Sequence, residues 1–167
     1  METSLHKDAE EGHANSSQQA WAFLLHTSLA LASWVALMLV GYLVNPSSVS
    51  QGFILALSLA VPAGVGYVVS RFRNDEIAPS VWLVGLIWIL IVSLWILDMR
   101  TGPNQCLHCG ATEKLSRTLL SFPTPGGLID DDGPFIGTWP AAALIGYAIG
   151  ARLARRKPAP PKAPPQA

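Results

Sequence analysis

Charge is what this sequence has least of. Only 13% of its 167 residues are Asp, Glu, Lys or Arg, about half the roughly 25% of an ordinary soluble domain. No such residue occurs from Gly12 through Ser70, from Ile77 through Leu97, or from Gly133 through Ala151. Helices of a small soluble domain need a polar face toward water, and a chain of this length has too little interior to hide three such runs. The scarcity excludes a soluble enzyme and a disordered chain. The balance of 11 basic against 11 acidic residues supplies no basic face, so nucleic acid is excluded as a partner. Cysteine is nearly absent too: Cys106 and Cys109 are the two in the chain.

What is present is apolar sequence at membrane scale. A bilayer core takes about 20 mostly apolar residues per helix. The first charge-free run breaks at Asn45-Pro46-Ser47-Ser48, a turn signal. The expectation is an all-α membrane protein, a bundle of four transmembrane helices with a structured extracytoplasmic loop between the third and fourth. The predicted spans are 21–44, 52–70, 79–97 and 136–152, together forming a transmembrane domain over 21–152. Ser80 is the expected N-cap of the third. The fourth is the weakest, being short, containing Pro140, and carrying Gly137, Gly146 and Gly150.

Lys and Arg in the flanks set orientation. With the N-terminus inside, eight of the eleven basic residues fall on the cytoplasmic side. Both termini are therefore expected in the cytoplasm, and the membrane is a plasma or inner membrane. Residues 1–20 read as a disordered cytoplasmic tail. Residues 153–167, rich in proline, which has no amide donor, read as a basic, extended cytoplasmic tail.

Membrane helices associate through small residues that let backbones approach. Ser28, Ala32 and Ala36 repeat every fourth residue in the first span, as do Ala56, Ala60 and Gly64 in the second and Ala142, Gly146 and Gly150 in the fourth. These faces are expected to pack the helices within one chain, with a membrane-protein partner or a homodimer as the alternative use, and to leave the bulkier third helix more exposed to lipid. Pro62 is expected to kink the second span. No Asp, Glu, Lys or Arg lies within a span, which argues against an ion path. His26, the titratable side chain of the first span, reads as an interfacial hydrogen-bonding group. Trp21 and Trp82 on one side, with Trp95 and Trp139 on the other, suit aromatic belts.

The segment with chemistry is the expected outer loop, 98–135. Thr112 to Phe122 puts Leu115, Leu119 and Phe122 on one helical face, with Glu113 and Arg117 spaced as an i, i+4 pair, and reads as a short surface helix. Cys106-Leu107-His108-Cys109-Gly110 admits three readings. One is a structural disulfide that pins the loop. Another is a redox pair, Cys106 attacking and Cys109 resolving, since an intervening histidine lowers thiol pKa. The third is half of a zinc site, completed by a second subunit across a two-fold axis, by His108, or by an aspartate of Asp130, Asp131 and Asp132.

A membrane helix bundle with an outer CxxC resembles, in outline, the bacterial disulfide-generating quinone reductases. Those carry two cysteine pairs on two outer loops. Here the first outer loop, Asn45 to Gln51, has none, so the electron relay is missing and the chain is not assigned to that family. The sequence points instead to a non-enzymatic accessory or assembly component. A membrane thiol-disulfide oxidoreductase is the alternative, and a zinc-stapled membrane dimer the third reading.

Overall fold

The computed structural model of the chain describes residues 2–44, 51–73, 75–98, 110–119 and 138–155. These form helices α1 (Glu2–Val44), α2 (Gln51–Phe72), α3 (Trp82–Asp98), α4 (Ala111–Leu119) and α5 (Thr138–Ala154), with one 3-10 turn, Ala78–Val81, running into α3. The described chain is all helical. Three segments are long and apolar enough to cross a bilayer: Ser16–Gly41, Gly52–Phe72 and Ala78–Asp98. They make the chain a helical membrane protein in contact with lipid.

Two boundaries differ from expectation. Helix α1 begins at Glu2, so residues 2–20 are helical rather than a disordered tail. Ala, Glu, Gln and Leu in that stretch favour helix, and a span that is already helical removes the cost of nucleation. At the start of α3, Ser80 is not an N-cap. The cap position belongs to Ile77, without a side-chain hydrogen bond, and the first turn tightens to 3-10 geometry around Pro79.

Helix α5 lies at the centre. It packs most extensively on α2, then on α3 and on α1. Eleven of its seventeen residues are buried, whereas the apolar windows of α1, α2 and α3 are each 22% buried. The expected contrast between a lipid-exposed third helix and the others is therefore absent, and the contrast lies between α5 and the rest. Near the start of α5, Trp139 and Ala143 join Trp34, Met38 and Ile54. Toward its other end, Leu144 and Tyr147 join Ala30 and Val81. Contacts that pass from Ile54 to the 75–81 connection as α5 proceeds make α5 run parallel to α2. Trp139 is fully buried and does not belong to an aromatic belt. Trp21, Trp82 and Trp95 are exposed.

The faces that do the packing are partly the expected ones. Ala142, Gly146 and Gly150 of α5 are buried as the spacing suggests. On α1 and α2 the expected stripes point away: Ser28, Ala32, Ala36, Ala56, Ala60 and Gly64 are all exposed. The inward faces are His26, Ala30, Trp34 and Met38 on α1, and Ile54, Ser58, Pro62, Gly66 and Ser70 on α2. Both repeat every fourth residue but are rotated from the small-residue stripes. α2 is continuous through the buried Pro62, which faces α5 and leaves the Ser58 carbonyl without its helical donor.

Glycine matters where backbones meet. A Cβ on Gly150 would collide with the Ala63 carbonyl, one on Gly146 with that of Leu59, and one on Gly66 with that of Tyr147. At Gly64 it would meet open space.

The rotated faces make a direct prediction. Ala30→Leu, at a position 0% exposed, is expected to lose about 1–3 kcal/mol through overpacking. Ala32→Leu, on the exposed side of the same helix, is expected to stay within about 0.5 kcal/mol of the parent. Reversible unfolding in mixed micelles measures both, and equal losses would contradict the burial pattern.

Candidate functional site: a buried polar chain at one end of the bundle

Topology brings one end of each long helix together. The buried part of α1 starts at His26, α2 ends at Phe72, α3 starts after the 75–81 connection, and α5 ends at Ala154. At this end the apolar packing is interrupted by a chain of polar side chains. His26 is completely buried. Its Nδ1 lies 2.7 Å from the Tyr147 hydroxyl of α5, and its Nε2 lies 3.1 Å from Oδ2 of Asp75 in the α2–α3 connection. The rings of His26 and Tyr147 are tilted by 56° with centroids 5.8 Å apart. Arg73 Nε stands 3.5 Å from the same Asp75 oxygen.

The hydrogen-bond inventory assigns the proton positions. A carboxylate accepts only, so His26 Nε2–H donates to Asp75. In the tautomer with its proton on Nε2, Nδ1 accepts from the Tyr147 hydroxyl. Each buried polar atom of the chain has a partner, as a low-dielectric interior requires. The two ends differ: Arg73 is 61% exposed and Asp75 28%, whereas Tyr147 is 0% exposed. The chain therefore opens at Asp75, which lines a groove of about 620 Å³ together with Trp21, Leu25 and Ser28, and closes on a phenol sealed inside the bundle.

A carboxylate, an imidazole and a hydroxyl in series have the connectivity of a catalytic relay. Here the terminal hydroxyl belongs to a fully buried residue packed with Ala30, Val81 and Leu144. What the geometry does is bind three elements at one level: α1, the α2–α3 connection and α5. A second tie lies beside it, where Arg155 donates from one terminal nitrogen to the Glu76 carbonyl at 3.1 Å.

His26 is thus a hydrogen-bonding histidine, as its sequence position suggests. Its partners Asp75 and Tyr147 were not signalled by any local motif. The usable signal is alternation: His26 near the start of the first span, Asp75 just past the second and Tyr147 near the end of the fourth segment must all share one end.

The opposite end carries α4. Glu113 and Lys114 donate their backbone N–H to the Gly110 carbonyl at 3.1 and 3.0 Å. The Thr138 hydroxyl donates to the Leu119 carbonyl, tying the end of α4 to the start of α5. This helix coincides with the short one expected over Thr112 to Phe122 as far as the described residues run, to Leu119. Cys106, His108, Cys109, Asp130, Asp131 and Asp132 all lie outside the described residues, as does the Arg117 side chain. Among the described residues no group of three or more His, Cys, Asp or Glu side chains is placed to hold a metal ion.

Comparison of the chain with protein-family models, with curated proteins and with solved structures finds no match.

Proposed function

We propose that the protein is a non-enzymatic accessory or assembly component of a plasma or inner membrane, built as a bundle of four transmembrane helices with both termini cytoplasmic. In this reading α5 is the fourth span, and 98–135 is an extracytoplasmic loop pinned by Cys106 and Cys109. The observation that carries the reading is the closure of the polar chain. The ionisable groups inside the helical body brace three elements and end on the sealed hydroxyl of Tyr147, which supports a rigid scaffold over a reacting centre. At 17 residues, α5 is about 25 Å long, short of a core of about 30 Å. Its burial among longer helices supports its crossing within their shelter.

A reporter fused after Ala167 tests the arrangement: cytoplasmic signal is expected, and an external signal would overturn a four-span bundle with both termini inside, because either the orientation or the fourth span would then be wrong. The cysteines test the role. In native membranes Cys106 and Cys109 are expected to be fully oxidised and unreactive toward alkylation. Replacing both by serine is expected to lower thermal stability without removing a thiol-oxidising activity. A mixture of oxidised and reduced forms, or a mixed disulfide with another protein, would instead establish the thiol-disulfide oxidoreductase. About one zinc per two chains, with the dimer lost on chelation, would establish the metal-stapled form.

A further inference from the structure

Beside the polar chain, on the flank between α3 and α5, runs a groove of about 530 Å³. Its length is apolar, formed by Trp82, Ile145 and Ile149, and its end is polar, formed by Ser80, Arg152 and Arg155. Trp82 and Ile149 are 43% and 45% exposed, so the apolar part is continuous with the lipid-facing surface. Neither arginine has a carboxylate partner among the described residues, where the Asp75 carboxylate contacts His26 and Arg73 instead.

Arg155 is the unusual member. One terminal nitrogen is used by the Glu76 carbonyl. Its Nε and its other terminal nitrogen are shielded from solvent and have no hydrogen-bond partner among the described residues. A shielded charged donor left unpaired is costly. The two idle N–H groups share one edge of a planar guanidinium, so a rotation of the side chain that uncovers them presents the fork that matches two oxygens of a phosphate.

We propose that this groove is a binding site for an anionic phospholipid, the phosphate seated against Arg152, Arg155 and the Ser80 hydroxyl and an acyl chain lying along Trp82, Ile145 and Ile149. Charge selects the occupant. The polar end offers two cations and a hydroxyl, so a zwitterionic headgroup would bring its ammonium against arginine, while a singly anionic phosphodiester brings only what the site lacks. The apolar length selects a lipid over free phosphate. Basic pockets between membrane helices at the level of the headgroups bind acidic lipids for the same reasons. The site is separate from the bracing chain, so a failure here leaves the scaffold reading standing.

The test uses the full chain purified in neutral detergent, with phosphatidylglycerol, phosphatidylcholine or inorganic phosphate added and retention followed by native mass spectrometry and thermal unfolding. Phosphatidylglycerol is expected to remain bound at about one per chain and to raise the unfolding temperature, with phosphatidylcholine at least tenfold weaker. Arg155→Gln and Arg152→Gln are each expected to weaken retention about fivefold, in line with the contribution of one basic residue at a membrane surface. Arg71→Gln, an exposed arginine at the same end of the bundle but outside the groove, is expected to change it by less than about twofold. Arg152 is exposed, so its variant keeps the test valid if Arg155→Gln does not yield folded protein. Equal retention of the two lipids, equal stabilisation by inorganic phosphate, or an Arg71→Gln effect matching that of Arg152→Gln would each overturn the proposal.

Discussion

Gly150→Ala is expected to cost the protein about 3 kcal/mol or more, while Gly64→Ala, on the same pair of packed helices, is expected to cost less than about 0.5 kcal/mol. The added atom is the same single methyl. At Gly150 it would occupy the space of the Ala63 carbonyl. Two backbones cannot relax around it as side chains can, so α2 and α5 must separate. Overpacking in a tight interior costs about 1–3 kcal/mol where side chains can shift, and backbone contact places this substitution at or above the top of that range. Gly146→Ala and Gly66→Ala, facing Leu59 and Tyr147, belong with Gly150→Ala. At Gly64 nothing lies within reach of a Cβ, and an uncrowded surface change has little effect. Unfolding in mixed micelles, read by circular dichroism, separates the two classes. Equal losses at Gly64 and Gly150 would show that the two helices do not meet through these glycines.

His26→Leu is the second large effect, with an expected loss of about 3 kcal/mol. Leucine fills much of the volume, so the loss comes from hydrogen bonding. It strands the Tyr147 hydroxyl in an apolar enclosure, a penalty of about 1–3 kcal/mol, and removes a bond to a charged carboxylate, worth about 1.5–3 kcal/mol. The second part is reduced here because Asp75 keeps water and Arg73 as partners. Tyr147→Phe removes only the hydroxyl and is expected to be milder. The diagnostic is the pair: in His26→Leu/Tyr147→Phe no stranded hydroxyl remains, so the double variant is expected to be more stable than His26→Leu alone. The interaction energy should fall within the roughly 0.5–3 kcal/mol typical of residues in one network. Strict additivity would mean that the 2.7 Å contact does not contribute to stability.

The sequence placed the long helices well but not their faces. Runs without charge locate spans because a charge in hydrocarbon is costly, and that signal survives in α1, α2 and α3. Which side of a span faces inward is another matter. In water the inward face is the apolar one. In lipid both faces are apolar, so hydrophobicity does not distinguish Ala30 from Ala32. The small-residue rule is the remaining guide, and it succeeded for Ala142, Gly146 and Gly150 but selected the outward stripe on α1 and α2. His26 was the better marker for α1, since a polar ring in a span needs partners and so points to where they are. The same logic explains why α5 looked weakest. It is short, and its proline and glycines, which counted against it as a span, are among the residues that let it sit at the centre. As for the candidate site, His26 could be read from sequence alone. Asp75 and Tyr147 could not, because the three are joined only by the alternation of helix directions.

The position of α5 also fixes an order of events. Helices α1, α2 and α3 leave the ribosome first, and apart from the contact between α1 and α2 they have little to hold one another. Their inward surfaces, from Trp34 and Ile54 at one end to Ala30 and Val81 at the other, are completed by Trp139, Ala143, Leu144 and Tyr147. Until those residues arrive, the first three helices are inserted but unassembled, with His26 in the membrane without its phenol. Consolidation is therefore a late, C-terminal event in biosynthesis. A chain that stops before Thr138 lacks the phenol that closes the polar chain, so His26 is left with Asp75 alone.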